Sequence, residues 1–314
     1  MNILITGGAG FIGSNLSDYL IKTGNVLTIV DDLSSGHQSN LSNISDKIDF
    51  HQEKIEKFDF KKIDKVDAVV HLAAQPSVPL SITNFFASST ANMTGTFSVL
   101  EYCRLNHIPL VYASSSAVYG NLELGDDQSH EINLLSPYAT DKYTMELYAK
   151  VAHKLYQLSS VGLRFFNVYG PRQDPNSPYS GVISIFADRL LKTKNITING
   201  GYQTRDFVYV QDVVKAIYRA INIASERSVC EMCNVLTGSS VTIDYLANQM
   251  IDIVPVEVEK NYKNLSTGDP EKSDGTTDKM VELLKVKLND FKKLDEGLIE
   301  TIQYIRNEVK GLVL

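Results

Sequence analysis

A tyrosine, a lysine and a serine stand where they could together oxidise an alcohol carbon. Tyr138 and Lys142 are four apart behind Pro137, so a helix opening at that proline carries both on one face. Ser115 follows the apolar run Leu110-Val111-Tyr112-Ala113-Ser114 and therefore sits where a buried strand ends. A tyrosine so placed can take a hydroxyl proton while hydride leaves the same carbon. A free phenol has a pKa near ~10, so it needs help to act as a base. The lysine ammonium favours the phenolate, and the serine can hydrogen-bond the reacting oxygen. Tyr-x-x-x-Lys alone is more often ordinary helix surface. It gains weight only if something upstream can accept a hydride.

That acceptor is implied by residues 3–16. The apolar run Ile3-Leu4-Ile5-Thr6 leads into glycines at 7, 10 and 13, and then into a helical pattern marked by Phe11, Ile12, Leu16, Tyr19 and Leu20. Strand, glycine turn and helix start are the parts of a dinucleotide cradle. Gly7 permits the tight turn, Gly10 lets the backbone approach a pyrophosphate, and Gly13 lets the helix pack on the strand. The helix N-terminus turns its free N–H groups toward the phosphates. A second strand, Val26 to Val30, ends at Asp31, about twenty residues downstream. An acid there accepts the adenosine ribose hydroxyls and repels a 2′-phosphate, which selects NAD over NADP. The following Asp32, Leu33 and Gly36 lie in a polar loop at the adenosine end. Lys142 is then also placed to bind the nicotinamide ribose.

The elements that must position these residues alternate. Strands are expected at 48–51, 66–74, 110–114 and 161–167, with helices over about 84–105 and 137–155 and a charged surface connection at 54–65. His71 lies inside an apolar run and reads as a core histidine. Such alternation implies a Rossmann-type α/β fold with a doubly wound parallel sheet. After Gly170 the segment 171–178 is broken by prolines. Residues 1–170 are expected to form the dinucleotide-binding domain. Residues 171–314 form mainly a smaller α+β substrate domain, with about 206–224 returning to the large sheet. Cys230 and Cys233 resemble half a zinc site but lie in a strand-like run, and no metal is expected.

Composition narrows the partners. The chain has 314 residues, 43% of them apolar and 21% charged, and a net charge of −7, which disfavours nucleic acid and anionic membranes. Three cysteines fit a reducing compartment. No apolar run approaches the roughly 18 residues that span a bilayer. A strand starting at Asn2 or Ile3 leaves no room for a leader, so the expected location is cytoplasmic.

Taken as a set, several motifs identify a resemblance that covers nearly the whole chain. They are T-G-G-A-G-F-I-G at 6–13, H-L-A-A-Q at 71–75, S-V-P at 77–79 and S-S-S-A-V-Y-G at 114–120. S-P-Y-A-T-D-K at 136–142, R-F-F-N-V-Y-G-P-R-Q-D-P at 164–175 and Q-T-R-D-F-V-Y-V at 203–210 complete them. The chain resembles the extended short-chain dehydrogenase/reductases, and among them the nucleotide-sugar 4-epimerases. The stretch 172–183 resembles the branch acting on UDP-N-acetylhexosamines. The resemblance implies Ser115, Tyr138 and Lys142 as the catalytic set. It implies Gly7, Gly10, Phe11, Ile12, Gly13, Asp31, Asp32, Leu33, Gly36, Ile55, Ala73, Ala74 and Gln75 along NAD. It implies Ser77, Ser115, Ser116 and Tyr138 near the sugar, and Asn167, Arg205 and Asp269 toward the diphosphate. It also implies a homodimer built from helices like 84–105 and 137–155.

Ser116 and Ala117 occupy the positions where related dehydratases and decarboxylases carry an acid, which disfavours elimination. Lys54 stands where the family has an adenine-contacting aspartate. Ser266 stands where a second diphosphate arginine is common, with Lys260 or Lys263 as substitutes. The position four residues after the aspartate of Gly268-Asp269 is Ser273. A small residue there goes with acceptance of an N-acetyl group; the plainer reading is an exposed serine in a charged loop. The expected reaction is reversible C4 epimerisation of UDP-N-acetylglucosamine and UDP-N-acetylgalactosamine through a 4-keto sugar. The alternatives are a UDP-glucose/UDP-galactose 4-epimerase, an NAD-dependent sugar dehydrogenase or reductase, and a silent NAD-sensing protein.

Overall fold

The computed structural model describes residues 1–177, 180–254, 257–265 and 269–311. The chain begins in the middle of a parallel sheet. β1 (Asn2–Thr6), α1 (Phe11–Lys22), β2 (Val26–Asp31) and β3 (Ile48–Gln52) run outward to one edge. The chain then crosses back through β4 (Ala68–His71), a short α2 (Val78–Thr83), α3 (Phe85–Asn106), β5 (Leu110–Ser115), α4 (Pro137–Tyr156) and β6 (Ser160–Phe165). β7 (Asn167–Tyr169), α5 (Val182–Lys192), β8 (Asn195–Asn199), β9 (Thr204–Tyr209) and α6 (Val210–Glu226) follow. The chain ends with β10 (Cys230–Val235), β11 (Ser240–Thr242), α7 (Ile243–Ile253), β12 (Glu259–Lys263), α8 (Asp278–Leu284) and α9 (Leu294–Gly311).

Among the described residues the large sheet has seven strands in the order β3-β2-β1-β4-β5-β6-β10, every pair parallel. The order reverses between β1 and β4, where Thr6 lies beside His71. Ligands of such sheets bind at the carboxyl ends of the strands flanking that reversal. Both faces are covered, which is why β4 and β6 are buried at every position. Ile3 and Ile5 of β1 meet Leu16 of α1 and Val213 and Ile217 of α6. Leu4 faces the other way, into a cluster with Val99 of α3 and Met145 of α4. The alternation along β1 thus divides the core into two layers.

A second core forms where α5, α7 and α9 pack around Phe186, Leu190, Leu246 and Ile302. Beside it lie the three-stranded sheet β11-β9-β7 and the pair β12-β8.

Four expectations change. The strand expected over 161–167 ends at Phe165, and Asn167 begins β7 in the smaller sheet. The switch comes at Phe166: its N–H still bonds Val235 O of β10 at 3.1 Å, while the pairing with β5 ends at Phe165 beside Ser115. The segment expected to return at about 206–224 divides: the helix α6 packs on β5 and β6, while its strand joins β7 and β11. Residues 230–235 return as well, as the edge strand of the large sheet. The strand-like run read around Cys230 and Cys233 is this strand, and its burial rises from partial to full along its length. Within the supposed surface connection 54–65, Ile55 and Phe58 are core residues.

His71 is a core histidine, bonded to Thr6 Oγ1 at 2.7 Å and Thr96 Oγ1 at 3.4 Å. Burial, and then the charge of Lys142, push its pKa down to about 3, so it stays neutral. The cysteines are free: Cys233 and Cys103 lie in different core layers, and Cys230 is only partly buried. Among the described residues no helix is long and apolar enough to cross a membrane.

Candidate active site

α4 carries Tyr138 and Lys142. Ser136 Oγ accepts the Ala139 N–H at 3.2 Å and Pro137 opens the first turn, so the helix starts in a fixed place. Tyr138 and Lys142 consequently lie near Ser115 at the end of β5, close enough for Ser115 to act on the Tyr138 phenol. Burial raises the phenol pKa above its usual value, Ser115 draws it back, and the charge of Asp141 raises it again. The expected lowering by Lys142 is not among the effects on this phenol. The ammonium is instead turned to Ala113 O at 2.7 Å, with its nitrogen 5.8 Å from the centre of the Tyr138 ring. Burial draws the Lys142 pKa down to about 8, with Asp141 opposing.

The residues around Gly7 fit a bound dinucleotide. Gly7 has φ +74°, and a Cβ there would come within 2.7 Å of Ala73 N. A Cβ at Gly13 would lie 2.1 Å from Gly7 O, so the helix could not seat with any larger residue. At Gly10 a Cβ would meet only Gly7 O within 4 Å, which leaves that face of the turn open to a phosphate. Phe11 and Ile12, both half-buried, begin α1 beside it. Asp31 also serves the turn itself, since its carboxylate accepts N–H groups from Ala9 at 2.9 Å and Leu33 at 2.8 Å. It therefore braces the glycine turn while keeping lone pairs for ribose hydroxyls. Burial raises its pKa against those backbone bonds. Gly36 packs against Ala9 and Gly10, and the His37 N–H donates to Ala9 O at 3.1 Å. Asp32 and Leu33 are half-buried in the same loop. The Ile55 side chain is sealed in the core, so only its backbone is left for a nucleotide.

Gln75 and Asn92 close the other side. Asn92 Oδ1 accepts the Gln75 N–H at 2.7 Å, and its amide donates to Asp141 at 3.0 Å. Asn92 and Asp141 are site residues the motifs missed. Asp141 was visible between Tyr138 and Lys142, but Asn92 lies in a helix with no sequence signal. Half-buried Ala73 and Ala74 lead into Gln75, whose amide reaches Ser77 O at 3.3 Å. Ser77 Oγ caps α2 at Leu80, and half-buried Ser116 begins the turn after Ser115.

Arg205 bonds Asp269 and Thr204 O, bringing two expected substrate residues together. Asn167 heads β7, whose partner strand β9 carries Arg205. Segment 269–276 is tied at two places: Glu271 O accepts from Thr204 N at 3.0 Å, and Asp274 O from Gly125 N at 2.8 Å. Ser273, between these ties, is half-buried and not a free loop residue. Lys260 donates to Asn248 at 2.5 Å, and Ser266 lies outside the described residues.

Beneath the site runs a chain of buried polar groups. Glu146, one helical turn beyond Lys142, accepts from Ser114 Oγ at 2.5 Å. It also accepts from Arg164 Nε at 2.9 Å and Nη2 at 2.7 Å.

A glycine cradle braced by an acid, at the carboxyl edge of a doubly wound sheet and next to a Ser-Tyr-Lys set, defines a dinucleotide-dependent enzyme acting on an alcohol carbon. Residues 3–235 match the model of the NAD dependent epimerase/dehydratase family, and the chain belongs to that family. The UDP-glucose 4-epimerase of Mycolicibacterium smegmatis is 34% identical over 325 residues, covering 98% of this chain and 99% of its own. The UDP-N-acetylglucosamine 4-epimerase of Methanobrevibacter ruminantium, solved with UDP-N-acetylmuramic acid, superposes with TM-score 0.91 and 36% identity over 98% of both chains. The UDP-glucose 4-epimerase of Thermotoga maritima, solved with UDP-glucose, gives TM-score 0.91 and 34% identity over 98% of this chain and 100% of its own. The protein is an NAD-dependent UDP-sugar 4-epimerase.

Lys142 gives the protein a pH signature. The unfolded chain keeps this proton to about its usual 10.5, the folded chain only to about 8. Between those values the unfolded state binds more protons, so the Lys142 contribution to stability rises with pH, by up to about 3 kcal/mol. Urea unfolding of wild type and Lys142→Met from pH 7.5 to 10.5 should show the difference growing in favour of wild type. A difference independent of pH would exclude the depressed pKa.

Proposed function

We propose that the enzyme interconverts UDP-N-acetylglucosamine and UDP-N-acetylgalactosamine. The observation that carries this reading is Ser273, a small side chain on the doubly tied segment that also carries Asp269. A short residue there leaves room for a C2 acetamido group while the sugar turns. The substrate named for the Methanobrevibacter ruminantium relative supports the same choice. The names of the Mycolicibacterium smegmatis and Thermotoga maritima relatives favour a second reading, plain UDP-hexoses, with the same reaction.

In this proposal the large-sheet unit holds the dinucleotide and the smaller unit holds UDP. When bound, NAD supplies an acceptor for the C4 hydride and later its donor. Tyr138 takes the O4 proton, Ser115 holds that oxygen, and Lys142 turns from Ala113 O to the nicotinamide ribose. Arg205, oriented by Asp269, offers its remaining N–H groups to the diphosphate, with Asn167 beside it. The 4-keto sugar turns over while the diphosphate stays anchored, and Tyr138 returns the proton. The three free cysteines support a cytoplasmic setting. We also propose a homodimer. Phe86, Phe97, Tyr148, Val151 and Leu155 leave an exposed apolar face on α3 and α4, of the kind two copies would cover.

Purified protein mixed with UDP-N-acetylglucosamine, without added cofactor, should yield the C4 epimer. Tyr138→Phe should keep its NAD and lose about 10²–10⁴-fold in turnover. Retained turnover would remove Tyr138 from the mechanism. Overpacking by Ser273→Tyr should cost about 1–3 kcal/mol, or roughly 5- to 150-fold in kcat/KM, for the N-acetylated pair and much less for the plain pair. Equal changes for both pairs would dismiss Ser273 as the gate. Light scattering should give a dimer for wild type and a monomer for Phe86→Asp; a monomeric wild type would end the dimer proposal.

A further inference from the structure

The polar chain beneath the site continues past Arg164 and reaches the substrate side. Arg164 Nη1 donates to Tyr119 Oη at 2.8 Å, and Tyr119 donates to Asn234 Oδ1 at 2.7 Å. The Asn234 amide donates to Gly125 O at 2.9 Å and Thr276 O at 3.1 Å. Gly125 in turn holds Asp274 O and receives the Thr276 N–H at 3.1 Å. Asp127 closes the far end, accepting Asn234 N at 2.7 Å and Thr276 Oγ1 at 3.3 Å. One continuous set of bonds thus runs from Ser114, next to Ser115, to the segment carrying Asp269 and Ser273.

The direction of every bond is fixed. Arg164 can only donate. The Asn234 NH₂ is used on two carbonyls, so its oxygen must accept. Tyr119 therefore accepts from Arg164 and gives its one proton to Asn234; reversing it would leave two buried donors facing each other. Burial also pushes the Tyr119 pKa far above its usual value, so the proton stays in place. The ring is held independently, with the Arg164 guanidinium 4.8 Å from its centre and Phe166 packed beside it.

We propose that Tyr119 is a positioning residue that couples the catalytic helix α4 to the substrate segment 269–276. Its hydroxyl is the joint between a catalytic end and a substrate end. The catalytic end, Ser114-Glu146-Arg164, sets α4 against the strand end that carries Ser115. Glu146, Lys142 and Tyr138 occupy one face of α4 at successive turns, so a shift at Glu146 carries the base with it. The substrate end, Asn234-Gly125-Thr276, sets the height of Ser273 and Asp269 over the sugar and diphosphate. The coupling rests on the 4-epimerase reaction and not on which sugar is preferred.

The test uses the holoenzyme and whichever UDP-hexose the wild type turns over. Ser114→Ala cuts only the catalytic end and should lower kcat about tenfold with KM within about twofold, the scale of one well-formed hydrogen bond. Asn234→Ala cuts the substrate end together with its bond to Tyr119, leaving Arg164–Glu146–Ser114 intact, and should raise KM about tenfold with kcat within about twofold. Tyr119→Phe keeps the ring and cuts the joint; it should shift both parameters while leaving bound NAD unchanged. In the Asn234→Ala background its KM effect should vanish, because that bond is already gone. Tyr119→Phe within about twofold of wild type in both parameters would overturn the proposal. So would three variants whose kcat and KM simply follow their loss in Tm. A wild type that epimerises neither UDP-N-acetylglucosamine nor UDP-glucose would instead refute the reaction itself.

Discussion

Arg164 is 2% exposed and carries a charge that cannot be given up. Its strand is buried on both faces, so the charge must be matched inside the protein. Glu146, with no exposed surface, supplies a two-pronged partner from α4. Removing one member of such a pair typically costs about 3–5 kcal/mol, because the other is left uncompensated. That requirement orients α4: the helix can sit on the sheet only with Glu146 over Arg164. Tyr138 and Lys142, two turns and one turn nearer the N-terminus, then point at the end of β5. The ion pair contributes modestly to net stability, and its larger effect is to choose one rotation of the helix over others.

A different constraint operates at the start of the chain, where backbones approach too closely for side chains. Gly7 against Ala73, Gly13 against Gly7 and Gly36 against Ala9 hold strand ends, helix start and nucleotide loop within contact distance. Asp31 then binds the turn from below through the Ala9 and Leu33 N–H groups. The carboxylate that ends β2 thereby preorganises the glycine turn. The electrostatics of the site are asymmetric. The phenol of Tyr138 is raised by burial and the ammonium of Lys142 is drawn down by burial, with Asp141 acting on both. Each group is thus set by its surroundings and not by its intrinsic proton affinity alone.

Much of this was legible in order along the chain. The glycine turn, Asp31 and the Tyr138/Lys142 spacing depend on neighbours within about one element, and local sequence carries them. The alternation of strands and helices to Phe165 was equally visible, because a parallel sheet covered on both faces demands continuous apolar runs. What the motifs could not show is pairing across the fold. Asn92 reaches Asp141 from a helix forty-nine residues away. β10 completes the large sheet after the chain has already built much of the second unit. Ile55 looked like part of a charged surface connection and is core.

The sequence by itself determined the glycine turn, the spacing of Tyr138 and Lys142 and the doubly wound class, since each rests on periodicity or on spacing within a turn or helix. Only the tertiary structure decided that Lys142 reaches Ala113 O, that Arg205 rests on Asp269, and that Tyr119 joins α4 to segment 269–276. Those are contacts between residues far apart in the chain, where burial leaves one satisfied arrangement of donors and acceptors, and no local pattern records which partner burial will bring.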